Sequence, residues 1–441
     1  MVIANPTLGD IRPITKKAFY VAMSCDGVTD FDSLAFLPEH HDVLTALIHE
    51  GITESCAEGD GIAPHQHYRK APNPYLTAIQ WCVTGNCNLR CRHCYMESPE
   101  GRYGELSFDE MTRLVGQFER ANVLQVSLTG GEPFLRKDIG EIIDLLAERN
   151  ICLTRIYSNG LLITDDHLAR IKGNGFLPSF QISFDGVGTH DYMRGCRGIE
   201  AGVTAAIRRI VASGFLVVIS TSLDRMTARQ LMHTYELMID LGVRGWRIAS
   251  PQASGNWKGN TTALSMDEEA QALAPLLGRW LRDGKPFFLQ LGGFFRSDQV
   301  WENDVALGAT SLRARHTPES YDCAPCREQP NLLPDGTLVP CPGYVDTPIQ
   351  ARMPNLLSQE LSEAWTTSFL REIADIKKKD LLAKNPECST CEFFEECGIG
   401  CRASAYGETG DLTAKDPLSC KLWKTGYKKM FEELAMAATD R

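Results

Sequence analysis

Hydrophobic and polar residues follow two alternating patterns between residues 77 and 250. Apolar runs of strand length are followed by longer stretches in which apolar residues recur every three or four positions. The runs predict strands at residues 77–83, 123–128, 152–157, 180–184, 215–220 and 246–249. The longer stretches predict helices at 108–121, 139–149, 165–172, 199–213 and 227–241. This alternation predicts an α/β fold with parallel strands and right-handed helical crossovers.

The pattern before residue 75 is separate and weaker. It predicts a strand at 18–23, a turn at Cys25-Asp26-Gly27, and a helix at 40–49 with Gly51 at its C-terminal cap. Three prolines between residues 64 and 74 predict a linker. We therefore place a small N-terminal domain at 1–74 and the α/β domain at 75–250.

The rest of the chain divides into a bridging region, 251–322, and a cysteine-rich C-terminal domain, 323–441. Ser107 and Glu110 predict a capping box for helix 108–121, and Ser265 and Glu268 predict another for a helix running through Trp280. Residues 421–437 predict one closing amphipathic helix. Gly292-Gly293 and Trp301 are candidate loop elements of the bridging region, to which no chemistry is assigned.

Composition excludes several classes of function. The chain has 441 residues, 43% hydrophobic, with a net charge of −11 and no long basic run, so nucleic acid is not an expected partner. No apolar run approaches the roughly 20 residues of a membrane span, and the N-terminus lacks the layout of a signal peptide. Sixteen cysteines without an export signal indicate metal sites in a reducing compartment. We expect a cytoplasmic protein.

Three cysteines after the first predicted strand are the strongest chemical signal. Cys87, Cys91 and Cys94 follow one another at spacings C-x3-C-x2-C. Three soft thiolates suit an iron–sulfur cluster or zinc, and a reactive site leaves one coordination position open. Three unrelated core cysteines, or a zinc site with a distant fourth ligand, are the alternatives.

This stretch resembles the signature of the radical S-adenosylmethionine (radical SAM) superfamily. The resemblance implies a 4Fe–4S cluster on the three cysteines, SAM on the open iron, and contact of His93 with the adenine. It also implies a partial, TIM-like (β/α)6 barrel, with which the six predicted strands agree. Six steps are too few for a closed eightfold barrel.

A Gly-Gly-Glu-Pro turn at 130–133 matches a second motif of the family. Glycine lets a backbone approach a ligand closely, and Glu132 can accept a charge-assisted hydrogen bond from the SAM ammonium. The resemblance implies that Ser183 and Arg194 bind the SAM carboxylate. A purely structural turn role is the alternative for each, and for Asn159 the two interpretations are comparable. The implied cofactor contacts are His93, Gly130, Gly131, Glu132, Ser158, Asn159, Ser183, Asp185 and Arg194.

Eight further cysteines in the last third are enough for two fully ligated clusters. Their pattern resembles the SPASM extension of radical SAM enzymes, which binds two auxiliary 4Fe–4S clusters. The resemblance implies one ligand set of Cys323, Cys326, Cys341 and Cys401, and another of Cys388, Cys391, Cys397 and Cys420. Cys323 departs from the family spacing, in which the gap to the next cysteine is wider. A pair of zinc sites is the alternative.

Enzymes with this combination mostly modify peptides. The resemblance implies reductive cleavage of SAM to a 5′-deoxyadenosyl radical, hydrogen abstraction, and electron transfer to the auxiliary clusters. We expect three 4Fe–4S clusters, SAM, and an electron donor such as flavodoxin or ferredoxin. The expected substrate is a ribosomally made peptide that becomes crosslinked, with a leader bound by residues 1–74 or, alternatively, with that segment serving only as a cap.

Three other functions stay open. They are oxidation of a protein side chain as in the sulfatase maturases, oxidation of a small molecule, and a non-catalytic metal scaffold. Pro342, where those maturases carry an acidic residue, counts against formylglycine formation. No catalytic acid or base is assigned.

Overall fold

The N-terminal unit combines a hairpin with two helices. The computed structural model describes residues 2–5, 10–31, 38–57, 59–60, 62, 76–98, 100–297 and 316–437. Strands β1 (Val2–Asn5) and β2 (Asp10–Pro13) pair antiparallel, and helices α1 (Lys16–Met23) and α2 (Pro38–His49) follow. The predicted linker at 64–74 and Trp301 lie outside the described residues.

The prediction of a strand at 18–23 is wrong. The segment is helix α1, capped by Thr15, whose hydroxyl accepts a hydrogen bond from the Ala18 N–H at 3.1 Å. Ala18 and Val21 are buried three positions apart, whereas Tyr20 is exposed. A six-residue apolar run has no period long enough to separate strand from helix. The predicted cap of α2 is confirmed, since Gly51 has a φ of 66°.

The barrel sheet is built from ten strands. They are β3 (Ala78–Cys82), β4 (Gln125–Thr129), β5 (Cys152–Ser158), β6 (Ser179–Ser183), β7 (Val217–Ser222), β8 (Gly245–Ala249), β9 (Phe288–Leu291), β10 (Phe295–Arg296), β11 (Asn331–Leu332) and β12 (Leu338–Val339). Their order in the sheet is β10-β9-β8-β7-β6-β5-β4-β3-β11-β12. Neighbouring strands from β3 to β9 are parallel, which confirms the six predicted strands and adds β9 as a seventh. The sheet stays open, with β10 and β12 at its edges in the described part of the chain.

Helices cover the outer face of this sheet. The crossovers carry α3 (Phe108–Arg120), α4 (Ile139–Glu148), α5 (Asp165–Gly173), α6 (His190–Arg194), α7 (Glu200–Ala212), α8 (Leu231–Asp240) and α9 (Met266–Arg282). Both predicted capping boxes, Ser107 with Glu110 and Ser265 with Glu268, are confirmed. Outward side chains such as Trp81, whose ring meets Phe118 of α3 edge-on at 5.2 Å, form the core between sheet and helices.

The C-terminal region is mostly short helices and turns. Its helices are α10 (Ala324–Glu328), α11 (Leu361–Thr367), α12 (Phe369–Ala374), α13 (Lys378–Lys384), α14 (Phe394–Cys397), α15 (Arg402–Thr409), α16 (Pro417–Lys424) and α17 (Tyr427–Ala437). The single helix predicted at 421–437 is wrong, because Gly426, with a φ of 81°, separates α16 from α17. Strand β11 extends the barrel sheet beside β3, so this region is joined to the barrel by backbone hydrogen bonds.

Candidate active site

The three-cysteine segment is an irregular loop at the C-terminal end of β3. Its sulfurs accept backbone hydrogen bonds, from Leu89 to Cys87 at 3.4 Å and from Ser98 to Cys94 at 3.3 Å. The Ser98 hydroxyl donates to the Gly85 carbonyl at 2.8 Å and ties the end of the loop to its beginning. The C-terminal end of a barrel strand is where βα-barrel enzymes carry their chemistry.

The loop provides thiols whose protons a metal must displace. Burial raises the pKa of Cys87 to about 12, and the nearby Glu132 carboxylate adds to that shift. Burial also raises the pKa of Cys91, while the Arg194 guanidinium opposes the rise. Within the described residues, no three His, Cys, Asp or Glu side chains converge closely enough to hold a single ion. Three soft thiols on one loop are a donor set that suits an iron–sulfur cluster.

The Gly-Gly-Glu-Pro turn packs directly on this loop. Backbone N–H groups of Gly131 and Glu132 donate to the carbonyls of Thr84 and Asn86 at 2.8 and 2.9 Å. A Cβ on Gly130 would lie 2.5 Å from the Thr84 oxygen, and one on Gly131 would lie 2.0 Å from the Asn86 oxygen. The close approach that requires these glycines is thus to the chain's own backbone.

Glu132 is completely buried beneath the loop. Its carboxylate accepts hydrogen bonds from the Ser158 hydroxyl at 2.8 Å, the Asn159 N–H at 2.8 Å and the Phe134 N–H at 3.2 Å. Burial nevertheless raises the pKa of Glu132 to about 7. A carboxylate has about four acceptor positions, of which three are used by these hydrogen bonds.

Asn159 connects the third strand to the cysteine loop. Its side-chain N–H donates to the Asn88 side-chain oxygen at 2.8 Å, and its own oxygen accepts from the Leu161 N–H at 3.0 Å. Asn159 therefore has the structural turn role, and it also positions the loop. Asn88 was missed from the sequence, where its place between two cysteines was the only signal.

Asp185 and Arg194, both predicted as SAM contacts, form a buried ion pair. Arg194 Nε lies 2.7 Å from Asp185 Oδ2, and Arg194 Nη1 lies 3.6 Å from the Cys91 sulfur. Burial opposes the charge of Arg194, but Asp185 and Cys91 outweigh it and raise the pKa of the guanidinium. The Ser222 N–H donates to the other Asp185 oxygen at 2.8 Å.

The short helix α6 fastens the cysteine loop from the opposite side. The N–H groups of Arg90 and Arg92 donate to the carbonyls of Arg194 and Met193 at 3.2 and 2.9 Å. Gly195, with a φ of 66°, follows α6 where a Cβ would lie 2.3 Å from the Arg90 oxygen. Contacts from β4, β5 and α6 thus hold the loop in one place.

Two neutral histidines lie beside the ion pair. Burial lowers the pKa of His93 well below its usual value, and the charges of Arg194 and His190 lower it further. Burial, together with the charge of Arg194, lowers the pKa of His190 to about 3. The His190 ring stacks on Phe184 with centroids 4.9 Å apart, and its Nδ1 accepts from the Asp185 N–H. Among the described residues His93 Nδ1 and His190 Nε2 have no hydrogen-bond partner. His190 had no sequence signal.

The eight C-terminal thiols form two groups. Hydrogen bonding with Cys326 lowers the pKa of Cys323 to about 7 and also lowers the pKa of Cys341. Cys401 lies near the same residues, because its charge raises the pKa of Tyr344 together with the charges of Cys326 and Cys341. The first group therefore includes Cys323. The second group lines one pocket beside Phe393 and Trp423, and its members are Cys388, Cys391, Cys397 and Cys420. Cys401 lies with the first group although Cys397 is four residues away.

An open α/β barrel with a three-thiol loop above a buried carboxylate, and two further thiol groups, defines a class of metal-cluster enzyme. Residues 81–238 match the family model of the radical SAM superfamily, and residues 299–392 match that of SPASM, an iron–sulfur cluster-binding domain. The chain is a radical SAM enzyme with a C-terminal SPASM domain. It therefore binds SAM and an iron–sulfur cluster, and its SPASM domain binds additional iron–sulfur.

Curated relatives cover most of the chain. The AdoMet-dependent heme synthase of Nitratidesulfovibrio vulgaris is 26% identical over 358 residues, which are 78% of this chain and 92% of that protein. The PqqA peptide cyclase of Granulibacter bethesdensis is 26% identical over 369 residues, 81% of this chain and 90% of that protein. The mycofactocin maturase of Mycobacterium tuberculosis is 26% identical over 344 residues, 77% and 81% of the two chains.

Solved structures share the fold at low identity. Streptococcus suis SuiB bound to its precursor peptide SuiA has a TM-score of 0.64 at 13% identity and covers 96% of both chains. The anSMEcpe enzyme with bound AdoMet and a peptide has a TM-score of 0.60 at 17% identity, covering 82% of this chain and 99% of that chain. In the part of the chain that the structure describes, no helix is long and apolar enough to cross a membrane.

Proposed function

We propose that the chain cleaves SAM reductively at a cluster held by Cys87, Cys91 and Cys94, and that it modifies and crosslinks a ribosomally made peptide. The observation that carries this proposal is the placement of the three-thiol loop directly over Glu132 and Arg194. Both groups sit at the end of the barrel from which the loop emerges. A scaffold without activity needs no buried carboxylate with a free acceptor position beneath its thiols.

Several side chains bind and orient in this proposal. Glu132 accepts the SAM ammonium at its remaining acceptor position, helped by Ser158, which holds the carboxylate in place. Ser183 binds the SAM carboxylate, since its hydroxyl makes no hydrogen bond with the described part of the chain. His93, neutral and half-buried, lies against the adenine. When bound, the reduced cluster and SAM supply a 5′-deoxyadenosyl radical that abstracts hydrogen from the substrate.

The two C-terminal thiol groups each hold a 4Fe–4S cluster. Four thiols in each group leave no iron open for a substrate, so we assign both clusters to electron transfer. The chain then carries three clusters, and reconstituted protein should contain about twelve iron and about twelve sulfide per chain. Cleavage of SAM consumes one electron, which a donor such as flavodoxin or ferredoxin supplies. Content near four iron would contradict the assignment.

The peptide substrate is supported by the relatives and by the N-terminal unit. Two relatives are named for peptide cyclisation and peptide-derived maturation, and SuiB binds the precursor peptide SuiA. In the N-terminal unit Met23 is 44% exposed, Val28 74% and Ile48 44%. We assign these exposed apolar side chains to the docking of a leader segment of the peptide.

A truncated chain tests the docking role. A chain that begins at residue 76 keeps all eleven proposed cluster cysteines and should still cleave SAM slowly without substrate, while modification of a leader-bearing precursor should fall sharply. Because truncation can expose apolar surface and cause aggregation, Met23→Ser with Ile48→Ser provides a full-length alternative. Modification at the wild-type rate in the soluble truncated chain and in the double variant would leave the cap interpretation.

Oxidation of a small molecule is the second candidate. The heme synthase relatives are as similar as the peptide cyclases, and their names do not refer to a peptide. This candidate predicts that loss of the N-terminal unit leaves turnover of the natural substrate unchanged. A short precursor-peptide gene beside the gene for this chain would favour the peptide.

A further inference from the structure

The inner face of the barrel sheet is polar and carries arginines that have no carboxylate partner among the described residues. Residues matched across neighbouring strands place Ser183, Ser220, Arg247, Gln290 and Arg296 in one row. Their neighbours along the strands, such as Ile182 and Ile248, are buried in the outer core instead. The row begins at Ser183, the last residue of β6, and continues through the interior of β7, β8 and β9. At Ser183 it borders the site assigned to SAM.

Only neutral groups position the two inner arginines. Arg247 donates through Nε to the Gln290 side-chain oxygen at 2.9 Å and through Nη1 to the Gln181 side-chain oxygen at 3.3 Å. Arg155, on β5, donates through Nε to the Ser179 hydroxyl at 3.1 Å. Each guanidinium has five N–H groups, so most of them remain available to a ligand.

None of the guanidinium groups of Arg155, Arg247 and Arg296 pairs with a carboxylate of the described chain. Arg194 and Arg136, by contrast, each have an acidic partner at 2.7 Å. Burial, together with the charges of Arg155 and Arg296, lowers the pKa of Arg247, as expected where cations face one another without a counter-ion. The chain has a net charge of −11, yet no carboxylate among the residues that the structure describes forms an ion pair with this cluster. A half-buried charge without a partner favours an anion from outside.

We propose that Arg247, with Arg155 and Arg296, binds a carboxylate of the peptide substrate. The inference rests on the proposed function, because the only anions that an unmodified peptide offers are carboxylates. The planar fork of arginine matches a carboxylate through two parallel hydrogen bonds. Since the row borders the SAM site, the residue that reacts is acidic, or lies next to an acidic residue or to the peptide's C-terminus.

Small probes test the carboxylate directly. Cluster-loaded, SAM-saturated protein is titrated with N-acetyl-glutamate α-amide, N-acetyl-glutamine α-amide and N-acetylglycine, and binding is followed by ligand-observed NMR. The glutamate amide should bind about tenfold or more tightly than the glutamine amide, because one charge-assisted hydrogen bond contributes at least that factor. Tight binding of N-acetylglycine would identify a C-terminal carboxylate as the ligand, and weak binding would identify a side chain.

Substitutions assign the preference to the arginines. Arg247→Gln should remove the discrimination between the two amides, Arg247→Lys should keep part of it, and Arg296→Gln, at the exposed end of the row, should reduce it. Arg208→Gln, an outer-surface arginine paired with Asp240, is the matched control and should discriminate like the wild type.

Three results would overturn the proposal. They are equal affinities of the two amides for wild-type protein, discrimination that survives in Arg247→Gln and Arg296→Gln, and a loss of SAM affinity in Arg247→Gln with unchanged discrimination. The last result would assign the arginine to SAM. Wild-type SAM cleavage is measured separately, so a failure of the proposed function is distinguishable from a failure of carboxylate binding.

Discussion

Arg194 Nε lies 2.7 Å from Asp185 Oδ2, with both side chains buried, and the same guanidinium reaches the Cys91 sulfur. The pair joins the end of β6 to the cysteine loop, about a hundred residues away in sequence. Arg194 is therefore both part of the proposed SAM site and a support for the thiol loop.

Removing one member of this pair should leave the other charge buried and unpaired. We expect Arg194→Ala to lower the stability by about 3–5 kcal/mol, whereas Arg194→Gln combined with Asp185→Asn should lower it by less than the two single changes together. Arg208→Ala, which breaks an exposed pair with Asp240, should change it by about 1 kcal/mol at most. Thermal unfolding of these five variants and the wild type measures the differences. Equal midpoints for Arg194→Ala and Arg208→Ala would show that the buried pair does not support the fold.

Glu132 should make SAM binding depend on pH. Its folded-state pKa is raised to about 7, so the carboxyl becomes protonated as the pH falls through 7 and can no longer attract the SAM ammonium. SAM affinity should therefore fall as the pH drops below 7, approaching roughly tenfold per pH unit, until it reaches the weak affinity of the protonated form, and Glu132→Gln should bind weakly at every pH. Isothermal titration of cluster-loaded protein with SAM, from about pH 5.5 to about pH 8, measures this pH dependence of the affinity. A flat profile in the wild type would contradict the role of Glu132.

The same raised pKa has a consequence for stability without SAM. A carboxyl with a raised folded-state pKa binds its proton more tightly in the folded state than in the unfolded state. Between pH 4.5 and about 7 the folded state therefore loses stability as the pH rises, by about 3 kcal/mol in total for this buried group. Glu132→Gln should lack that part of the slope.

The turn at 130–133 should not tolerate a side chain on its second glycine. A Cβ on Gly131 would meet the Asn86 oxygen at 2.0 Å, and this is backbone that must shift, together with the cysteine loop. Gly131→Ala should destabilise the protein by about 1–3 kcal/mol and lower its iron content. Gly407→Ala is the matched control, because nothing lies within 4 Å of that helical position, and it should be neutral or stabilising. Normal iron in soluble Gly131→Ala would contradict the packing argument.

Double substitutions test how the C-terminal thiols are divided between two clusters. Cys401→Ala and Cys341→Ala should each remove about four iron, and together they should remove no more, because both belong to one cluster. Cys401→Ala with Cys397→Ala should remove about eight, since these neighbours serve different clusters. If the second pair removed no more iron than either single change, the interleaved assignment would fail.

The alternating barrel and its chemistry were readable from the sequence because both rest on local signals. Strand-length runs, capping boxes such as Ser107 with Glu110, and cysteine spacings are carried by adjacent residues. Strands β11 and β12 were missed because two residues carry no period, and β9 because its polar Gln290 interrupts a four-residue run.

Contacts between distant segments carried no such signal. The hydrogen bond between Asn88 and Asn159 joins residues 71 positions apart, and the pairing of Arg194 with Asp185 uses two residues that the sequence assigned separately to SAM. The lack of a carboxylate partner for Arg247 among the described residues depends on strand register across five strands. Such features follow from the folded sheet and not from any window of the sequence.

Formation of 5′-deoxyadenosine by a variant lacking all three loop thiols tests the central claim most directly. Cys87, Cys91 and Cys94 are replaced together by alanine, and the protein is reconstituted, reduced and incubated with SAM. We predict that 5′-deoxyadenosine formation is abolished while about eight iron remain on the C-terminal thiols. Continued cleavage of SAM by that protein would contradict the assignment of the reactive cluster to this loop.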